Sequence, residues 1–470
     1  MATPSVKKNF LYKSVLTLST YLISFVTFPY VSRVLGVENI GLIGFVDNTV
    51  GYFLLFATLG INILGTREIA MAGDDEQRRS RVFANVLGVN LMFTALALLA
   101  YFVAVAVVPR LHENADLFYI GASKILATAF LVEWFFSGVE DFRYITLRSV
   151  AVKLLLVAGV FVFVREQSDY RLYFMMTMGV VVINALINII YAIRYIRFRV
   201  RDLFSLRYVK DNVMLGVYGI MTSMYMTFNV MYLGLMSDNE QVGFYTTAFK
   251  LYTIILGLFT AFASVMMPRM SALYSGGNKE QFYGYIERSF ALVIKFIVPL
   301  ILCSVVMAPQ IVGCLSGVGY EGAILPMRII MPAALAVCVA QVLSLQVIMP
   351  MKHDKVLLRA SLSGAIASLV INLTVVPHLQ SVGSAIVLLC SEFCVTATYV
   401  IYVMRHRLVS IPFRLLAENV LISLPAVGVC WLCGTFIANP FISVAVALVG
   451  GGGVWLLMNW RYVRTLLSKM

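Results

Sequence analysis

Residues 243–269, GFYTTAFKLYTIILGLFTAFASVMMPR, decide how the rest of the chain is read. From Gly243 to Met267 the run of 25 residues is apolar or neutral except for Lys250. About 20 such residues make a helix about 30 Å long, the thickness of the hydrocarbon core of a bilayer. A lysine inside that run is costly unless it meets an opposite charge, an aqueous cavity or the headgroups. Lys250 is therefore either a snorkelling side chain or part of a site.

The whole chain repeats the pattern. Its 470 residues are 61% hydrophobic and 13% charged, with a mean hydropathy of +0.89. Soluble domains carry roughly one quarter charged residues, so this composition belongs to a membrane protein. Apolar runs of spanning length lie near 10–33, 41–64, 82–108, 115–137, 146–164, 172–193, 213–235, 243–267, 290–314, 323–350, 356–376, 381–404, 416–437 and 441–459. That pattern predicts an all-α polytopic membrane protein with about fourteen transmembrane helices. Barrel strands are shorter and alternate, and an open backbone cannot be left unpaired in lipid. The first run is too long for the apolar core of a cleaved signal peptide and ends in FPYVSRVLG, without a small-residue cleavage site.

Lysines and arginines give the sidedness. With the N-terminus cytoplasmic, the inner segments hold 26 of the 36 basic residues and the outer segments hold four: Arg33, Arg110, Arg165 and Arg171. Lys13, Lys124, Lys153, Lys250, Lys295 and Arg328 fall within helices. This positive-inside bias predicts both termini in the cytoplasm and accounts for most of the net charge of +13. The surplus can attract anionic membrane lipids but gives no sign of nucleic-acid binding.

A repeat is visible between the halves. FVTF at 25–28 is similar to YMTF at 225–228, ENIG at 38–41 to EQVG at 240–243, and the arginine closing GTR at 67 to that closing MPR at 269. The last two pairs share an offset of 202 residues. Six helices separate the copies, an even number, so both halves enter the membrane in the same direction. The expectation is two pseudo-symmetric six-helix lobes, 1–200 and 201–410, with two additional helices in 411–470. Transporters built from repeats place substrate between the halves and alternate access by rocking one against the other.

Enzyme signatures are absent. No Walker A sequence occurs. Gly317, Gly319 and Gly322 match GxGxxG, but in an outer loop between two helices, without the strand and packed helix the fingerprint needs. His112, His353, His378 and His406 are scattered and indicate no metal site. CWLC at 430–433 lies inside helix thirteen, where its cysteines read as packing residues, and GGGG at 450–453 reads as a close-packing or flexible point in helix fourteen. No cofactor is implied.

The ionisable residues inside the membrane carry more information. Lys13, Glu133, Lys153, Lys295 and Glu418 lie toward the cytoplasmic ends, and Arg33 and Arg328 near the outer face. Lys124 lies about nine residues into helix four. Glu392 lies about eleven residues into helix twelve, roughly 16 Å deep at 1.5 Å per residue, near the middle of the core. It is either protonated and structural or a coupling site. Asp47 is six residues past Gly41, and Lys250 seven past Gly243, so the two occupy neighbouring positions in equivalent helices. Opposite charges at matched depth could pair to close an outer gate; each could equally pair locally or snorkel.

FPYVSRVLGVENIGLIGF (28–45), LGINILGTREIA (59–70) and, above all, EWFFSGVEDFRYITLRS (133–149) resemble the bacterial polysaccharide-unit (O-antigen, Wzx-type) flippases of the multidrug/oligosaccharidyl-lipid/polysaccharide exporter superfamily. Residues 245–273 are loosely similar to their second-half helix, and the likeness covers roughly 10–410. The resemblance implies a V-shaped two-lobe fold in the bacterial inner membrane. It also implies a substrate, an oligosaccharide on undecaprenyl pyrophosphate, turned from the cytoplasmic to the periplasmic leaflet, with polysaccharide polymerases as candidate partners. Many such proteins have twelve helices. The extra pair here is similar to that of the lipid II flippases, whose additional helices help form a lipid-tail groove.

Lys250, Lys124, Lys13 and Arg33 are then the candidate pyrophosphate ligands, since lysine and arginine hold phosphate by charge-assisted hydrogen bonds. Asp47 or Glu392 could couple transport to H+ or Na+. Within 133–149, Trp134 and its aromatic neighbours suit the interfacial belt, and Glu140, Asp141 and Arg143 form a polar turn. Two rivals are a multidrug or cation antiporter of the same superfamily, which would favour acidic cavity residues, and a membrane glycosyltransferase or ligase. The long loops at 66–81 and 194–212 are basic and lack an acid–base set for the second.

Overall fold

The computed structural model describes residues 6–197, 202–203, 205–224, 228–460, 462 and 464. The described residues are helices and connecting turns, with no strand. Contacts divide the chain into two compact units, Met1–Val242 and Gly243–Met470.

In the first unit the helices are α1 (Val6–Thr58), α2 (Ile61–Ala72), α3 (Glu76–Val107), α4 (Pro109–His112), α5 (Ala115–Phe130), α6 (Glu133–Gly138), α7 (Phe142–Phe163), α8 (Tyr170–Ala192), α9 (Val209–Met224) and α10 (Phe228–Met236). A straight helix of 53 residues would run about 80 Å, far more than one crossing. α1 instead turns at Gly36, where φ 78 and ψ 167 suit a residue without a Cβ, so it holds two crossings. Its two halves pack against α3, α5 and α7, while α5 packs on α8 and α2 on α3 and α6. The repeat divides the chain near residue 200, yet α9 and α10 pack against α1, and α9 also against α2, within the first unit. Of the FVTF/YMTF match, residues 225–227 lie outside the described residues.

The expected helix over 115–137 is broken. Val132 takes φ 38, a left-handed conformation that strains a β-branched residue, and α5 ends there. Two features hold the break. The Leu131 carbonyl, released from the helix ladder, accepts a hydrogen bond from the Asn188 side-chain amide. Three aromatics of α6 plunge inward: Trp134 is 3% exposed and Phe135 and Phe136 are fully buried. Gly65 of α2 lies against the Trp134 ring so closely that a Cβ there would come within 2.5 Å. Trp134 is thus a core residue clasped by α2, not a member of an interfacial belt, and that expectation is corrected.

The second unit contains most of α11 (Asn239–Ser275), then α12 (Lys279–Val306), α13 (Ala308–Leu315), α14 (Ile324–Ile330), α15 (Ala333–Gln341), a π-helical turn over Val342–Ile348, α16 (Asp354–Arg405), α17 (Phe413–Phe436) and α18 (Pro440–Met458). α16, at 52 residues, reverses at Gln380 (φ 47) just after Pro377 and again holds two crossings. α17 and α18 pack on each other, and α17 packs on α12. Of the four consecutive glycines, Gly451 is buried against Cys430, which fits the close-packing reading of both motifs.

Ten helical stretches among the described residues are long and apolar enough to cross a membrane. They are fewer than fourteen partly because α1, run together with α2, and α16 each hold more than one crossing in one unbroken stretch.

Candidate functional site

Of the candidate residues, Lys13, Arg33 and Asp47 stand on α1, Lys124 on α5, Lys250 on α11 and Glu392 on α16. The structure brings two of them together. Lys124 Nζ donates to Asp47 Oδ1 at 2.5 Å, joining α1 to α5 inside the first unit. The side chains are 22% and 44% exposed respectively, so the pair is accessible at its carboxylate end. The ion pair Asp47 makes is therefore local to its own repeat, one of the two alternatives left open by its depth.

Arg33 is exposed and makes interactions of its own. The side chain of Lys13 lies outside the described residues. Lys250 is half-buried and engaged, with its carbonyl also accepting from Thr253 Oγ1.

A second ion pair is one that sequence reasoning missed. Arg148 Nη2 donates to Glu133 Oε1 at 2.6 Å and to Ser149 Oγ at 2.7 Å. The Arg148 side chain is only 5% exposed, whereas Glu133 is 45% exposed. The residues are 15 apart, too far for one helical face, and the break at Val132 is what lets α6 present Glu133 to α7. Around them the stretch that carries the resemblance is tied down. Asp141 caps α7 by accepting from the Tyr144 amide, and also accepts from Tyr195 Oη at 3.1 Å. Glu140 accepts from the Asn9 side chain, and Thr146 Oγ1 donates to the Tyr12 carbonyl, both fastening α1. Nearby, Lys153 Nζ donates to Thr20 Oγ1 at 2.6 Å.

Glu392 sits differently. It is 5% exposed and, among the described residues, makes neither a hydrogen bond nor an ion pair. Among the described residues its unit holds other buried polar groups without hydrogen-bond partners, Ser391 Oγ beside it and both amide atoms of Gln346 among them. Gln346 lies in the π-helical turn that packs on α16, a local geometry that recurs at functional sites. Gln346 was not legible as a candidate, because an amide in an apolar run carries no charge signal.

The second unit also contains an apolar groove of about 210 Å³ between α12, α13, α17 and α18. Phe296, Leu300, Leu448 and Trp455 line it. Trp455 is fixed by its Nε1 donating to the Lys295 carbonyl and by its ring lying 4.8 Å from that of Phe296.

Residues 6–274 match the family described as polysaccharide biosynthesis protein. The chain belongs to that family. It is 24% identical over 414 residues to the "Putative O-antigen transporter" of Escherichia coli (strain K12), covering 86% of this chain and 98% of that protein. A protein of the same name from Shigella dysenteriae is 24% identical over 396 residues, covering 82% and 97%. Among solved structures, a lipid II flippase MurJ in an inward closed conformation superposes with a TM-score of 0.77 at 14% identity, covering 97% of this chain and 99% of that one. An inward-facing multidrug resistance MATE family transporter of the MOP superfamily gives 0.56 at 15% identity, covering 87% and 96%. This member of the polysaccharide biosynthesis family therefore has the multi-pass fold shared by those transporters.

Proposed function

We propose that the protein is a flippase that turns undecaprenyl-pyrophosphate-linked oligosaccharide from the cytoplasmic to the periplasmic leaflet of the bacterial inner membrane, with both termini cytoplasmic. The observation that carries this reading is the near full-length similarity to two proteins named "Putative O-antigen transporter", which spans 98% and 97% of their lengths. The chemistry agrees. Desolvating a single unpaired polar group costs several kcal/mol, so a glycan and a pyrophosphate need a polar path while the polyprenyl tail stays in lipid.

Lys124, with Lys250, Lys13 and Arg33, supplies cations for that path. Lys124 is held by Asp47, and an arriving phosphate would compete with the carboxylate for the same ammonium. Asp47 then acts as a placeholder that keeps the lysine oriented until the head group arrives. In another state of the transport cycle Asp47 is free to meet Lys250 and close an outer gate. Glu392, buried and without a partner among the described residues, is the group on which a proton or sodium ion would act to drive alternating access. The groove between α12, α17 and α18 suits the polyprenyl tail.

The test is leaflet exposure of the lipid-linked glycan in cells with and without the protein. The expected result without it is glycan accumulating on the cytoplasmic side. If the glycan reaches the periplasm equally well in both, with no redundant transporter present, the flippase reading fails. Polysaccharide polymerases are its proposed downstream partners, and co-purification with one would support that placement.

A further inference from the structure

The two ends of α16 meet in one cleft. Lys352, Lys355 and Arg359 line it from the start of the helix, and Arg405 and His406 from the end, around an open volume of about 900 Å³. This meeting follows from the reversal at Gln380, which folds the 52-residue helix back on itself. The wall between the cations is ordered: His353 Nδ1 and Tyr402 Oη share a hydrogen bond of 2.5 Å, and the Tyr402 ring lies 4.2 Å from that of His406.

A general positive-inside bias explains why basic residues gather at this end of the bundle. It does not explain their state. Some arginines of the inner segments are held by acids, Arg67 by Glu68, Arg197 by Glu76 and Arg414 by Glu418. Among the described residues Lys352, Lys355, Arg359 and Arg405 make no ion pair, and the one acidic residue on the wall is Asp354. Four cations sharing a concavity repel one another unless an anion joins them.

The cleft also has an apolar side. Val356 and Ile401 line it, and Leu358, Leu362 and Ile366 continue outward-facing along the first half of α16, each more than two-fifths exposed. A ligand with an anionic head and a hydrocarbon tail satisfies both surfaces; a soluble anion satisfies only one. We infer that this cleft binds the phosphate of an anionic lipid lying in the leaflet it faces. Guanidinium and ammonium groups from opposite walls supply the charge-assisted hydrogen bonds, and the exposed leucines and isoleucine flank the chains. The site stands on the geometry of α16 alone and does not depend on the flippase reading.

Two lipids carry this chemistry, an anionic phospholipid and a polyprenyl pyrophosphate. The full-length protein in detergent, examined by native mass spectrometry, would be offered phosphatidylglycerol, cardiolipin, undecaprenyl pyrophosphate and, as the neutral reference, phosphatidylethanolamine. At least one anionic lipid is expected to bind tenfold more tightly than the reference. Retention of the phospholipids assigns a headgroup source, and retention of the polyprenyl pyrophosphate alone assigns the cargo; either supports the site.

The variant combining Lys352→Gln, Lys355→Gln, Arg359→Gln and Arg405→Gln is expected to lose that preference. Lys355→Gln and Arg405→Gln singly, from opposite walls, are expected to reduce it severalfold and keep the test open if the quadruple variant misfolds. Lys279→Gln, outside the cleft, is expected to leave it unchanged. Equal binding of all lipids, an undiminished preference in the folded quadruple variant, or equal binding of inorganic pyrophosphate would each overturn the inference.

Discussion

Carboxyls deep in the two units are handled differently. In the first, Asp47 and Glu133 each hold a cation, Lys124 and Arg148, at 2.5 and 2.6 Å. In the second, Glu392 is buried without any partner among the described residues. A paired charge is nearly neutral at a distance and its removal is felt mainly by its partner. An unpaired buried carboxyl has nothing to neutralise it except a proton or a cation. Under the proposed function, the Glu133–Arg148 pair is the fixed part of this arrangement and Glu392 is the group proposed to respond to ions.

The comparison breaks most visibly at Arg148. Glu133→Gln leaves a guanidinium that is 5% exposed without its carboxylate. An uncompensated buried charge costs about 3–5 kcal/mol, and the half-exposed Glu133 puts the expected loss near the lower figure, about 3 kcal/mol. Thermal unfolding in detergent should show it, and Arg148→Gln added to the same chain should recover part of the loss. If Glu133→Gln unfolds like the parent, the pair is not structural.

Glu392→Gln tests the other side. The amide keeps the volume and removes the titration, so the thermal midpoint is expected to hold while glycan transport falls at least tenfold, about 1.4 kcal/mol of barrier. Normal transport would remove Glu392 from any coupling role.

The smallest effect is expected at Asp47. With its carboxylate 44% exposed, Asp47→Asn or Lys124→Gln should each cost at most about 1 kcal/mol of stability, because exposed pairs are screened. A double-mutant cycle over stability should show coupling between the two. Coupling of Asp47 to Lys250 in transport assays, absent from the stability cycle, would mark the outer gate as a separate state.

Depth along a helix is legible in a sequence; the face a residue presents is not. The lengths of the apolar runs and the Lys/Arg distribution disclose a helical, multi-pass protein, and the turns at Gly36 and Gln380 fall in or next to the gaps between predicted spans. Asp47 and Lys124 were both visible as intramembrane charges. Their contact was not, since it joins residues 77 apart on different helices.

The break at Val132 had no breaker residue to announce it, and without that break neither the Glu133–Arg148 pair nor the burial of Trp134 could be anticipated. An aromatic at a helix end reads as an interfacial anchor until a glycine on a neighbouring helix is seen to clasp it. The signature stretch at 133–149 is thus in large part a structural knot.

The reversals at Gly36 and Gln380 also bear on how the chain enters the membrane. At each, one crossing turns into the next within a continuous run assigned as helix, leaving almost no connecting segment to stand in water. Two such crossings are best inserted together, as a hairpin, and the tip, which the proposed sidedness would push through the hydrocarbon, carries little charge. Between Val34 and Ile40 the only ionised residue type is Glu38, and between Val376 and Ser381 there is no lysine, arginine or acid. With both termini cytoplasmic, as proposed, biogenesis asks little of the translocation machinery at these points, and the outward face offers a protease scarcely any chain to cut there.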